Sequence, residues 1–200
     1  VNIQELQSIV YEQQKIRVVG AGHSFTPLVC TDATLVSLDR ISGVASFDVE
    51  HCQSNIYAGT RLYDLDQHLQ QQSINQALMN QGDIDQQSLA GAVSTGTHGT
   101  GADLHCISAY VEAFELLTAS GEILKCSRTE NSEIFAAGRV SLGSLGILTK
   151  ITMQNRPRYK LKEHIQLCLV EDMMQNIQQW KHQHQNLIGD RFSHCLMILV

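Results

Sequence analysis

The feature that most constrains this chain is a short apolar strand that runs straight into glycines. Ile16-Arg17-Val18-Val19 has strand character, and Gly20-Ala21-Gly22-His23-Ser24-Phe25 follows with no polar spacer. A strand that ends in glycines lets a ligand approach the backbone closely. Successive exposed N–H groups there form a nest for an anion, and a diphosphate is a natural guest. The competing reading is an ordinary glycine turn after a strand. The dinucleotide pattern GxGxxG does not apply, because Phe25 stands where the third glycine is required.

Around this turn the chain alternates short strands and helices. Asn2 can cap a first helix whose apolar stripe is Ile3, Leu6, Ile9 and Val10. Strands are expected at 34–38, 45–49 and 55–58, and Leu62, Leu65 and Leu69 form a helical stripe. Residues 110–119 and 123–126 read as a hairpin turned at Ser120-Gly121. A short helix at 132–137 and a strand at 147–153 follow. Pro157 marks a boundary. Beyond it, 159–170 alternates like a strand, 171–184 reads as a helix and 192–200 as another strand. The expectation is one domain over 1–157, and over 158–200 the beginning of a second that this chain does not complete.

A second glycine segment lies some seventy residues after the first. It runs Asp83-Ile84-Asp85-Gln86-Gln87-Ser88-Leu89-Ala90-Gly91-Ala92-Val93-Ser94-Thr95-Gly96-Thr97-His98-Gly99-Thr100-Gly101. Small side chains and hydroxyls suit a ligand lying against the backbone; equally, they can satisfy turn backbone with no ligand. A third segment, Ser141-Leu142-Gly143-Ser144-Leu145-Gly146-Ile147-Leu148-Thr149-Lys150-Ile151-Thr152-Met153, completes the series.

Taken in order, the three segments resemble the FAD-binding (PCMH-type) domain of the vanillyl-alcohol-oxidase superfamily. Within it the likeness is to alditol, gulonolactone and arabinonolactone oxidases, over about residues 1–155. The resemblance implies an α+β fold in which two small subdomains clasp an extended FAD, followed by a substrate domain. It places the diphosphate at Gly20, Ala21, Gly22, His23 and Ser24, and lines the same cofactor with Asp83, Ser88, Gly91, Thr95, Gly96, Thr97 and His98. The backbone of Ile147 meets the adenine end, and His23 carries a covalent bond to the flavin.

A neutral imidazole is a competent nucleophile near pH 7, which agrees with that tether. The plainer reading leaves His23 as a hydrogen-bonding loop residue. His98 is assigned a structural or cofactor-lining role. Gly82 matches a position near the flavin edge, where glycine favours an oxidase and alanine a dehydrogenase. Its plainer role is a positive φ before Asp83.

The implied reaction is hydride transfer from a CH–OH group of a polyol or aldonolactone to the flavin, with oxygen as acceptor. The alternatives are a dehydrogenase using another acceptor and a flavin-binding domain without activity of its own. No general base is assigned; Asp48, Glu112 and Glu115 are carboxylates on strand faces that solvent normally covers. A Ser/His hydrolase finds no support, since GxSxG does not occur.

Composition narrows the rest. Over 200 residues, 43% hydrophobic and 17% charged content excludes a disordered chain. A net charge of −6 without a basic stripe argues against a nucleic-acid partner. No apolar run approaches the roughly 18–20 residues of a membrane helix. Val1–Glu5 has no leader character, so a cytoplasmic protein is expected. Cys30, Cys52, Cys106, Cys126, Cys168 and Cys195 form no CxxC pair and read as reduced thiols. His182 and His184, two apart on a helix, point to different faces, so no metal site is expected. Substrate identity and oligomeric state stay open.

Overall fold

Asn2 opens the first helix, α1 (Ile3–Glu12), with a reciprocal capping box. The Glu5 amide donates to Asn2 Oδ1 at 2.8 Å, and the Asn2 amide donates to Glu5 Oε2 at 3.0 Å. Leu6 is fully buried, and Ile3, Ile9 and Val10 pack beside it on the core, as the stripe requires. The structure is a computed structural model that describes residues 1–100, 103–160, 169–172 and 174–176.

Two sheets share that core. The smaller is a parallel pair, β1 (Ile16–Val19) and β2 (Thr34–Ser37), in register from Ile16 opposite Thr34 to Val19 opposite Ser37. The larger is antiparallel and contains β3 (Val44–Asp48), β4 (Gln53–Tyr57), β5 (Gln76–Leu78), β6 (Val111–Leu117), β7 (Ile123–Ser127) and β8 (Ile147–Pro157). Its order is β3-β4-β8-β6-β7, with β5 paired to the far end of β8. The expected α+β class and the hairpin at Gly121 are both present. The turn glycine has φ +80° and rests against the Tyr11 ring of α1.

The strand expected at 147–153 runs on to Pro157, because β4 and β5 both supply partners to its second half. Pro157 lacks an N–H, and it sits at the strand's end, where none is needed. Strand β5 escapes the sequence pattern because it is three residues long and begins with a polar side chain. Gln76 is nonetheless 1% exposed. Asn155 Nδ2 donates to Gln76 Oε1 at 2.8 Å and to Ser54 Oγ at 2.9 Å, so one buried amide ties β4, β8 and β5 together.

Helix α2 (Leu62–Leu69) buries Leu62, Leu65 and Leu69 completely. Helix α3 (Leu89–Ser94) starts inside the segment whose hydroxyls and glycines read as a loop. Ser88 caps it by accepting the Gly91 amide at 3.3 Å, and Leu89, Ala92 and Val93 are buried. Helix α4 (Ser132–Gly138) stacks Phe135 on Phe114 with ring centroids 5.6 Å apart. After Pro157, residues 170–172 and 174–176 are helical; the strands expected at 159–170 and 192–200, and the rest of the expected helix, lie almost wholly outside the described residues. Among the described residues no helix is long and apolar enough to cross a membrane.

One polar contact on α2 has a pH signature. Gln81 Nε2 donates to Asp66 Oδ2 at 3.1 Å, while Gln81 Oε1 is buried without a partner. Burial holds the Asp66 carboxyl above the usual carboxylate range, the Gln81 bond opposes this, and the nearby negative Asp85 adds to it. A raised folded pKa means that the contribution to stability is full at low pH and is lost as pH rises through the raised value. Asp66→Asn keeps an acceptor for Gln81 and adds a donor for its idle oxygen. It should raise the melting temperature by about 2 °C at neutral pH, with the gain vanishing near about pH 4. Thermal melts across that range check this; an equal gain at both ends would contradict it.

Candidate functional site

A cleft of about 930 Å³, open to solvent, lies where β1 and β2, the start of α3 and the loop before β8 meet. The glycine turn after β1 forms one part of the wall, contributing Gly20, Ala21, Gly22, His23 and Ser24. Ser88, Gly91 and Thr95 contribute another, and Gly143, Gly146, Ile147 and Leu148 a third. Three sequence segments separated by scores of residues therefore converge on one space.

The segment at 57–62 brings them together. Gly59 donates to the Ile41 carbonyl at 2.9 Å, Ala58 to the Thr149 carbonyl at 3.0 Å, and Leu89 to the Thr60 carbonyl at 2.8 Å. Arg61 and Ser88 form an isolated antiparallel bridge. A Cβ on Gly59 would overlap the Leu38 carbonyl oxygen, so glycine is required where this segment crosses the end of β2.

The glycines of the wall divide into two kinds. Gly20 faces Ser88, and a Cβ there would collide with Ser88 Oγ, so its smallness lets the turn seat on the cap of α3. Gly22 (φ +73°) and Gly143 (φ +75°) are different: nothing lies within 4 Å of where their Cβ would be. Both hold left-handed backbone against open space, and a side chain would intrude there. Leu142, beside Gly143, also has a positive φ of 53°, and the Ser144 amide closes that turn on the Ser141 carbonyl at 2.9 Å. Phe25 has φ 53° and is 83% exposed, with its ring edge-on to His23 at 6.1 Å. Non-glycine residues held in this region cluster at functional sites.

The polar lining is sparse. Asp39 Oδ1 accepts from Arg61 Nη2 at 2.7 Å, and Arg61 Nη1 donates to the Gln86 carbonyl at 3.2 Å. Thr95 Oγ1 donates to the Gly91 carbonyl at 2.8 Å. The apolar part includes Leu28, Val29, Leu38, Leu142, Ile147 and Leu148. Backbone turns, apolar walls and a few hydroxyls fit an extended dinucleotide with a charged middle.

Of the residues singled out in the sequence, Gly82, Asp83, Gly96, Thr97 and His98 do not line this cleft. They lie beside it. Gln87 is on the cleft wall and donates from Nε2 to Thr97 Oγ1 at 3.0 Å, and a Cβ on Gly82 would come within 3.0 Å of Thr97 Cγ2. Gly82 is not among the glycines of positive φ, so the plainer explanation of that glycine falls. His98 is exposed, and its Nδ1 lies 2.8 Å from the Gly99 carbonyl. A carbonyl only accepts, so that nitrogen carries the proton. The sequence reading missed Arg17, Asp39, Gly59, Gln87, Leu142 and Gly143. Gly143 sits in a quoted segment and was legible; Gly59 and Asp39 matter only through long-range contacts.

The family described as FAD binding domain matches residues 2–127. L-gulonolactone oxidase of Bos taurus is 34% identical over 176 residues, covering 88% of this chain and 40% of the relative. L-gulono-1,4-lactone dehydrogenase of Mycobacterium tuberculosis is 37% identical over 153 residues, covering 76% and 35%. The crystal structure of carbohydrate oxidase from Microdochium nivale superposes with a TM-score of 0.68 at 22% identity, over 76% of this chain and 33% of the other. The chain thus spans about two fifths of the bovine relative's length.

The Gly20–Ser88 contact yields a coupling test. Gly20→Ala should cost about 1–3 kcal/mol through overpacking, and Ser88→Ala about 1 kcal/mol through the lost cap. The double variant should lose less than the sum, because removing Oγ vacates the space the new methyl needs. Denaturant melts of the three variants measure this, and strict additivity would contradict the contact.

Proposed function

The chain belongs to the FAD binding domain family, and from that premise we propose that it is the cofactor-holding part of an oxidoreductase acting on a CH–OH group of a polyol or aldonolactone. The observation that carries the reading is the cleft, where two turns of bare left-handed backbone, at Gly22 and Gly143, border one apolar-walled space. Lactone substrates are supported by relatives named for L-gulonolactone and L-gulono-1,4-lactone.

In this reading residues 20–24 hold the diphosphate through backbone N–H groups, and Ser24, Ser88 and Thr95 offer hydroxyls beside it. Gly91 keeps the start of α3 low enough for close approach, and the backbone of Ile147 meets the adenine end. Gly82, Asp83, Gly96, Thr97 and His98 shape the neighbouring wall, coupled to the cleft through Gln87 and Thr97. Bound FAD supplies the two-electron oxidation of the carbinol carbon, with oxygen as the final acceptor. The protein's part is orientation and the exclusion of water.

His23 is the residue for a covalent tether. It sits on the cleft wall, and the turn's own backbone fixes it beside the cofactor's path. Acid denaturation of the full-length holoprotein, followed by centrifugation, should carry the yellow colour into the pellet. His23→Ala should release its flavin to the supernatant. Flavin freed equally from both proteins would remove the assignment.

A dehydrogenase is the second reading, favoured by the Mycobacterium tuberculosis relative of that name. Gly82 separates the two. An added methyl there meets Thr97 Cγ2 at 3.0 Å and the His98 carbonyl at 3.5 Å, so it tightens this wall without breaking it. In the full-length enzyme, Gly82→Ala should slow reoxidation by oxygen about tenfold or more, a barrier of roughly 1.4 kcal/mol, while reduction by substrate changes little. Stopped-flow measurement of both half-reactions checks this. Equal losses in the two would mark Gly82 as a packing residue only.

A further inference from the structure

Arg17 lies in β1, three residues ahead of Gly20. Its neighbours Ile16 and Val18 pack on the core, so the period of two turns Arg17 away from the core. It lines the cleft. Arg17 and Asp39 are the two residues of the described wall that carry a permanent or carboxylate charge, and they differ in one respect. Asp39 is paired with Arg61 at 2.7 Å, whereas the Arg17 side chain makes no hydrogen bond or ion pair with any described residue. The wall thus holds a compensated carboxylate and a half-buried arginine whose charge has no partner among the described residues.

Nest amides offer only partial charges to a ligand that carries whole ones. A doubly charged group entering an apolar-walled cleft is costly unless a full counter-charge meets it. A guanidinium supplies that charge in a planar fork that matches two phosphate oxygens. Three residues of strand span about 10 Å, and a side chain of arginine's length covers most of that distance. The alkyl stem can lie on the apolar wall while the head points along the cleft.

We propose that Arg17 is a further cofactor-binding residue, the counter-cation of the diphosphate held over residues 20–24. This rests on the FAD reading above. It assigns to one side chain the preference of the cleft for a diphosphate-bearing flavin over an uncharged one.

The test uses the full-length protein with His23→Ala as parent, so that binding is reversible, freed of flavin and titrated with FAD, ADP and riboflavin. Adding Arg17→Gln should weaken FAD and ADP by roughly 10- to 100-fold, the range of lost charge-assisted bonds. Riboflavin, which has no phosphate, should change less than about twofold. Raising the ionic strength should weaken FAD binding more in the parent than in Arg17→Gln. Arg17→Met, which keeps the stem and loses the charge, must behave the same way and serves if Arg17→Gln does not fold. Parent-level binding of FAD and ADP by either variant overturns the assignment, as does an equal loss of all three ligands. Failure of the parent itself to bind FAD overturns the cofactor reading, and this inference with it.

Discussion

The short stretch of backbone that leads from β4 into α2 decides where everything else in the site can be. Residues 58–60 donate to the Ile41 carbonyl in the turn after β2 through Gly59 and to β8 through Ala58, and accept from α3 through Ala58 and Thr60. Thr60 Oγ1 donates to the Tyr57 carbonyl at 2.6 Å and accepts the Gly43 amide at 2.9 Å, which pins the crossing from a side chain as well. Because Gly59 has no room for a side chain against Leu38 and Ile41, the parallel pair and the larger sheet meet at backbone distance. Three glycine-bearing segments far apart in sequence are thereby held around one space.

That construction suits a cofactor recognised mostly by main chain. Side-chain recognition of a long ligand requires many rotamers to be ordered, whereas a turn already fixed by its own hydrogen bonds presents N–H groups at little further entropic cost. The open space over Gly22 and Gly143 is the complementary half of the device. Charge is rationed in the same spirit. Arg61 compensates Asp39 from one side and ties to the Gln86 carbonyl on the other, leaving Arg17 as the unpaired cation on the described wall.

Much of this was legible in the residues. The helix at Ile3–Glu12, the strand before Gly20, the hairpin at Gly121 and the leucine stripe of α2 follow from capping, period and turn chemistry, all of which act over a few residues. The convergence of residues 20–24, Ser88, Gly91, Thr95 and Ile147 was readable as family resemblance, and the structure puts them on one wall. What could not be read depends on distant partners. Strand β5 is held where the Asn155 amide donates to Gln76 Oε1 in the core. Helix α3 emerges because Ser88 is free to cap it and Leu89, Ala92 and Val93 have a core to bury against. Gly59 looks like any loop glycine until Leu38 is seen across from it. Gly82, Thr97 and His98 share a motif with cleft residues yet stand one layer away, since a motif records sequence spacing and not depth.

In the function proposed above, main-chain amides of the first glycine turn, together with the loop at 142–148, receive the cofactor. Amide hydrogen exchange, compared between flavin-loaded and flavin-free full-length protein, examines those amides themselves. Loading with FAD should slow exchange most strongly in peptides covering residues 20–24, with a second protected stretch at 142–148. Unchanged exchange in the first turn, with protection appearing elsewhere, would contradict it.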